Sequence, residues 1–214
     1  MANADLRPAR SAMLQHLRAN GITSDRVLTA METVARDEFV PEADRARAYE
    51  DTPLAIGFDQ TISQPLMVAL LVQALDLADG ERVLDIGTGS GFQAAVLAAC
   101  NVHVISVEII AELAESARDR LYRLKYTVDV RTGDGGGGLD GEEPFDAIAV
   151  AAAAPEVPVL LVRQLAAGGR LVVPIRETES DRLTRITRTA SGWKTDDLGP
   201  CRFVPLRGEE GIDA

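Results

Sequence analysis

Residues 83 to 91 read VLDIGTGSG, three glycines at alternate positions directly behind a short apolar run that ends in an acid. Val83, Leu84 and Ile86 flank Asp85 as in a buried strand, and Gly87, Gly89 and Gly91 allow a tight turn into a helix over residues 92 to 99. A bulky ligand can then lie against bare backbone. The spacing is G-x-G-x-G, with Phe92 where the third glycine of a dinucleotide-binding G-x-G-x-x-G would stand. Asp85 places a carboxylate at the strand end, which repels a diphosphate and suits a ligand carrying an ammonium group. The alternative reading of this stretch alone is a glycine-rich turn with no ligand.

A second acid strengthens the ligand reading. Val102 to Val107 (VHVISV) alternates as a β-branched strand, and Glu108 closes it near the ~20-residue offset at which a βαβ unit sets a carboxylate against ribose hydroxyls. Asp134 follows a third strand, Val128 to Thr132, at the same sheet edge, so three acids are expected to face one crevice. Phe145 to Ala151 reads as another buried strand, and the small-residue run at 149 to 155 offers either close backbone approach or a packing surface. Gly135 to Gly138 reads as a flexible connection.

Outside this core, residues 8 to 19 and 24 to 36 read as amphipathic helices, the first broken at Asn20-Gly21 and the second capped by Ser24. Phe39 to Pro65 carries three further prolines and few periodic runs, yet Phe39, Tyr49, Leu54, Ile56, Phe58 and Ile62 make it too apolar for a disordered linker. It is expected to be a long ordered loop. Residues 66 to 76 form an apolar helix. At the far end, Leu171 to Pro174, Arg185 to Thr189, the stretch after Gly192-Trp193, and Phe203 to Leu206 read as strands.

The 214 residues, 46% of them hydrophobic, suit one domain with one substantial core. Thirty-three acids against 22 bases give a net charge of −11, so nucleic acid and anionic membranes are unfavourable partners. The polar start MANADLRPAR has no apolar signal core, and no run approaches the ~18 residues of a membrane span, which predicts a soluble, cytoplasmic protein. Cys100 and Cys201 lie far apart, and with only His16 and His103 beside them they predict no metal site. Both histidines read as packing or surface residues. No G-x-S-x-G elbow supports a serine hydrolase.

The glycine stretch resembles motif I of the S-adenosylmethionine (AdoMet) methyltransferases. Residues 36 to 65, RDEFVPEADRARAYEDTPLAIGFDQTISQP, together with TGDGGGG, PFDAIAVAAAAPEVP, LAAGGRLVVPI and FVPL in order, resemble the protein-L-isoaspartate O-methyltransferases across nearly the whole chain. That resemblance implies an α/β, doubly wound Rossmann-like class I sheet with an α-helical N-terminal extension. It implies one domain over residues 1–214: helices and a substrate/cofactor loop in 1–78, the cofactor-binding core in 79–175 and C-terminal strands in 176–214. The implied activity is transfer of the AdoMet methyl group to the α-carboxylate of isoaspartyl residues in damaged proteins, with no obligate partner. Carried over by position, Gln60, Thr61 and Ile62 form a loop over the cofactor and Ser63 is the active-site serine. Ile56 and Asp59 stand beside it toward the substrate. Asp85, Gly87 and Gly89 hold the methionine end, Glu108 the ribose and Asp134 the adenine side, and Gly91, Ile109 and Gly135 belong to the same cofactor site.

The chemistry is compatible with that set, because a carboxylate with a pKa near ~4 is already ionised at neutral pH and needs no general base. Ser63 is therefore expected to orient the carboxylate, with capping of the helix after Pro65 as its structural alternative. Three residues depart from the family pattern. Asp59 would set a like charge before an anionic substrate, and Arg176 and Asp181 replace what are commonly uncharged residues. A relative dedicated to one peptide in natural-product maturation, and a catalytically inactive AdoMet-binding module, are the competing readings.

Overall fold

The computed structural model describes residues 5–211, so residues 1–4 of the polar start lie outside it. Helices α1 (Arg7–Ala19) and α2 (Asp25–Thr33) come first. Ser24 caps α2 by accepting from Val27 N, as its position predicts. The helix stops three residues short of the expected end. Val34 turns extended, and Arg36 begins a short 3-10 turn that buries its guanidinium.

The arm that follows is ordered throughout and contains a hairpin absent from the sequence reading, β1 (Leu54–Gly57) and β2 (Gln60–Ile62). Its two-residue loop is Phe58-Asp59, with φ of 54° and 59°. Both residues occupy the left-handed region that such hairpin loops require, a region usually filled by Asn or Gly. That is why the loop carries no sequence signal.

Helix α3 (Pro65–Ala74) starts the core, followed by β3 (Arg82–Ile86), α4 (Phe92–Ala99), β4 (His103–Glu108), α5 (Ala111–Arg123), β5 (Val128–Thr132), β6 (Phe145–Val150), α6 (Val159–Gln164), β7 (Leu165–Ile175), β8 (Asp181–Thr189) and β9 (Gly192–Cys201). The seven strands run in the order β5-β4-β3-β6-β7-β8-β9. The first five pair in parallel, and β8 and β9 add antiparallel edges. Side chains alternate between two apolar layers: Val83, Ala147, Ala149 and Val172 face α1 to α4, whereas Leu84, Ile86, Ile148, Val150, Leu171 and Val173 face α6. Burial on both faces explains why these strands read as continuous apolar runs. The chain leaves β3 first toward β4 and later returns beside it with β6, which opens a crevice at the carboxyl ends of β3, β4 and β6.

Three elements of the far end differ from the reading, and β8 is one, beginning at Asp181 and not at Arg185. Strand β7 begins at Leu165, well before Leu171. Phe203 to Leu206 is not a strand: one bridge joins Pro205 to Ala153, where Ala153 N donates to Val204 O and Leu206 N to Ala153 O, both at 2.8 Å. Pro205 has no N–H with which to extend a ladder. Among the described residues no helix is long and apolar enough to cross a membrane.

Asp51 fastens the arm to α3. Its Oδ1 accepts from Leu66 N at 2.9 Å, its Oδ2 from Gln64 Nε2 and His16 Nε2, and it faces the buried Arg36. Arg36 donates from Nε to Ala48 O, its Nη groups have no hydrogen-bond partner, and its Cζ lies 4.8 Å from the centre of the Phe92 ring. Burial pushes its pKa down to about 9. Asp51→Ala removes the cap of α3 and a counter-charge together, and is expected to cost about 1 to 2 kcal/mol, lowering Tm by a few degrees in thermal unfolding. An unchanged Tm would show that Asp51 does not hold this junction.

Candidate active site

The glycine turn after β3 takes the conformation its residues permit. Gly87, Gly89 and Gly91 have φ of 90°, 53° and 88°, all left-handed, so the chain folds back over the end of β3 before entering α4. Gly87 N and Thr88 N both donate to Val107 O, which ties the turn to β4.

Two acids hold this turn from different sides. Glu108, 5% exposed, accepts from Gly89 N through Oε2 at 2.8 Å and from Ile110 N through Oε1 at 3.0 Å. Each oxygen keeps a second lone pair toward the crevice, where hydroxyl donors can be bound. Asp85 lies underneath, fully buried. Gln93 Nε2 donates to its Oδ1 and Ser106 Oγ to its Oδ2, both at 2.7 Å, and because the Ser106 hydrogen is used there, Thr88 Oγ1 donates to Ser106 Oγ at 2.6 Å. Burial pushes the Asp85 carboxyl up to about 6, opposed by these hydrogen bonds and helped by the nearby Glu108 charge.

Above the turn lies a cleft whose open space, counting its mouth, is about 780 Å³. Gln60, Thr61, Ile62 and Ser63 form one wall; Gly87, Gly89, Glu108, Ile109 and Gly135 line it from the sheet side. Gly135 fits because a Cβ there would come within 3.1 Å of Ile86 and 3.2 Å of Val107. These sequence-expected residues are brought together. Others are not. Asp85 sits beneath the floor and reaches the cleft only through Gln93 and, by way of Ser106, Thr88, so it does not face a ligand's ammonium group directly. Gly91 packs toward Leu121 of α5 and shapes the start of α4. Asp134 turns both oxygens away, accepting from Gly136 N and Glu209 N at 2.8 Å each. The three acids share an edge, but only Glu108 lines the crevice.

On the hairpin, Ile56 packs its Cδ1 over Gly89, and Asp59 lies exposed in the left-handed loop outside the cleft lining. The expected like-charge wall before the substrate is therefore absent. Ser63 lines the cleft and caps nothing: the N-cap position of α3 is Gln64, and the capping oxygen comes from Asp51. Arg176 and Asp181 form a pair, Arg176 Nε to Asp181 Oδ1 at 2.9 Å, while Asp181 Oδ2 accepts from Phe203 N at 2.8 Å. Together they fix the segment Val204–Arg207, which closes the cleft opposite Gln60–Ser63 and went unrecognised in the sequence. Thr88, Ser90, Gln93 and Ala152 complete the lining, and Ala151 gives the alanine run its close-approach role beside Gly87.

The Asp85 shift has a pH signature. Between about pH 4 and 6 the folded chain holds a proton there that the unfolded chain has released, so this group lowers stability as pH rises through that window and penalises the fold fully above it. Asp85→Asn is expected to fold and to remove this slope, gaining stability relative to the parent near pH 7 compared with near pH 4. Parallel urea-unfolding profiles at the two pH values would contradict the assignment.

The profile of the Protein-L-isoaspartate(D-aspartate) O-methyltransferase family matches residues 8–211. A relative from Marinobacter nauticus named Protein-L-isoaspartate O-methyltransferase 2 is 52% identical over 211 residues, covering 97% of this chain and 96% of its own. A Syntrophus aciditrophicus relative named Protein-L-isoaspartate O-methyltransferase is 49% identical, with 91% of each covered. Among solved structures, a protein-L-isoaspartate O-methyltransferase superposes with a TM-score of 0.84 at 29% identity, covering 94% of this chain and 67% of that one. A Plasmodium falciparum protein described as a putative member of the same family, in complex with S-adenosyl-L-homocysteine, gives 0.79 at 30% identity, covering 92% and 98%. Profile, sequence and superposition agree along almost the full length, and the chain belongs to the protein-L-isoaspartate(D-aspartate) O-methyltransferase family.

Proposed function

We propose that this chain is an AdoMet-dependent methyltransferase that esterifies the α-carboxylate of L-isoaspartyl residues in damaged proteins. The observation that carries this reading is the single cleft in which Gln60–Ser63 faces the glycine turn and Glu108. All three stretches of the chain, 1–78, 79–175 and 176–214, contribute walls to it, which supports treating them as one domain. Whole-length identity near 50% to relatives bearing the repair enzyme's name favours a general repair substrate over one dedicated peptide. Cys100 and Cys201 are buried free thiols, as suits a reducing cytoplasm.

The residues fit the cofactor. Glu108 would take the ribose hydroxyls on its spare lone pairs, Gly87 and Gly89 would let the amino-acid end lie against backbone, and Ile109 and Gly135 would border the adenine. When bound, AdoMet supplies a methyl group on a positively charged sulfur. Ser63 would then hold the isoaspartyl carboxylate by hydrogen bonding so that one oxygen lies in line with that methyl, and Gln60–Ile62 would keep water out. Alignment of this kind is worth on the order of 7 kcal/mol or more of barrier. The carboxylate needs no base to become a nucleophile, which accords with the absence of a histidine from the cleft lining. The methyl ester is attacked by the following backbone nitrogen, methanol leaves, and water opens the resulting succinimide to aspartyl or isoaspartyl.

The direct test is label transfer from methyl-labelled AdoMet to an isoaspartyl peptide beside its aspartyl isomer; labelling of only the isoaspartyl form is expected, and equal labelling of both would refute the substrate assignment. Glu108→Ala is expected to weaken S-adenosyl-L-homocysteine binding roughly tenfold to a hundredfold, since a hydrogen bond to a charged group contributes about 1.5 to 3 kcal/mol. Unchanged affinity in calorimetry would move the ribose elsewhere. Ser63→Ala should lower kcat with cofactor affinity nearly intact, because its partner is the methyl acceptor. Equal turnover would leave Ser63 as wall only.

A further inference from the structure

Four acid-or-amide-plus-glycine steps occur in the described chain that can in principle age into isoaspartyl linkages: Asn20-Gly21, Asp79-Gly80, Asp134-Gly135 and Asp140-Gly141. Ageing at such a step begins when the glycine nitrogen attacks the side-chain Cγ, and glycine favours it because no Cβ obstructs the approach. The nitrogen must be unengaged and the side chain free to swing over it. The four sites differ sharply by that criterion. At Asp79-Gly80 the carboxylate pairs with Arg26 at 2.6 Å and Gly80 N donates to Asn101 O at 2.8 Å, so the attacking nitrogen is engaged.

Asn20 ends α1 with its Nδ2 donating to His16 O at 2.8 Å, while Gly21 N donates to Arg18 O and Gly21 O accepts from Gln73 Nε2 at 3.0 Å. Ile22, next in the chain, is buried. That dipeptide is pinned on both sides. Asp134 has both oxygens committed, to Gly136 N and Glu209 N, and Gly135 is wedged against Ile86 and Val107. Asp140 and Gly141 are both exposed, in the loop between β5 and β6 that follows the run Gly135–Gly138. Among the described residues the Asp140 carboxyl makes no hydrogen bond or ion pair, Gly141 N donates to nothing, and the space beside Gly141 is open within 4 Å.

We infer that Asp140-Gly141 is a spontaneous isomerisation site, and that once converted it is a methylation substrate for a second copy of this chain. The inference rests on the proposed activity for its second half only. In the first half, Gly141 N bonds to Asp140 Cγ, the N–H proton and the carboxyl hydroxyl depart as water, and a succinimide forms. Water then opens the ring at the α-carbonyl, leaving Gly141 attached through Cγ and a free α-carboxylate at residue 140. In the second half that carboxylate accepts the methyl group of AdoMet, S-adenosyl-L-homocysteine is released, and Gly141 N expels methanol to regenerate the succinimide. The acceptor site belongs to another copy, because Gly135 at the root of the same loop forms a wall of the chain's own cleft.

The test ages the full chain at neutral pH and physiological temperature without AdoMet, and locates isoaspartate by electron-transfer fragmentation of its peptides. Fresh enzyme and methyl-labelled AdoMet are then added, with an isoaspartyl peptide run in parallel. Isoaspartate at residue 140 in excess of residues 20, 79 and 134, label on the same peptide, and loss of most of that label in Asp140→Glu aged identically are expected. Glutamate-glycine cannot close the five-membered ring. Isoaspartate confined to residue 20 or absent from residue 140 would overturn the site. Isoaspartate at 140 that stays unlabelled while the parallel peptide is labelled would overturn methylation by a second copy. Failure to label the peptide as well would instead sink the proposed activity together with the second half, and the fragmentation result would still decide the first.

Discussion

The carboxylate of Glu108, bridging Gly89 N and Ile110 N, is the constraint on which the site depends. It joins the turn after β3 to the turn after β4, beside the point between β3 and β6 where strand order reverses, so two neighbouring loops are fixed relative to each other by one side chain. Three left-handed glycines make that turn possible and leave its backbone bare. With the turn fixed, the floor of the cleft is rigid and its acid is already ordered, and preorganisation of that kind reduces what binding must spend on conformational entropy.

Asp85 supports the same turn from below at an electrostatic cost. A fully buried carboxyl pushed up to about 6 is unfavourable to the fold at neutral pH, yet it aims Gln93 into the cleft and, through Ser106, orients Thr88. The third and fourth walls come from outside the nucleotide-binding core. Asp51 sets the start of α3 and hence the direction in which Gln60–Ser63 arrives, and Asp181 sets the return of Val204–Arg207. Each of these acids lies far in sequence from the residues it positions.

The core was legible because its physics is local. Apolar runs buried on both faces, glycine turns behind β3 and β5, and an acid at a fixed offset report themselves in short windows, and β3 to β6 and α4 fall where those windows put them. Glu108 was found by that logic. Asp85 and Asp134 stand at the expected edge with their oxygens engaged by Gln93, Ser106, Gly136 N and Glu209 N, partners that spacing does not reveal. The β1–β2 hairpin was missed because Phe58 and Asp59 adopt a backbone conformation that their side chains do not advertise. Phe203 to Leu206 reads as a strand because apolar residues alone cannot distinguish a ladder from one bridge and two hydrogen bonds with Ala153. The resemblance sets Asp59 by position toward the substrate, and the left-handed hairpin loop carries it, exposed, outside the cleft lining.

A crystal structure of the chain with S-adenosyl-L-homocysteine tests the account most directly. The account predicts ribose hydroxyls within hydrogen-bonding distance of Glu108 Oε1 and Oε2, the amino-acid end over Gly87 and Gly89, and the sulfur directed toward Ser63. Density for the ligand away from the glycine turn, or a ribose bound with Glu108 turned aside, would contradict it.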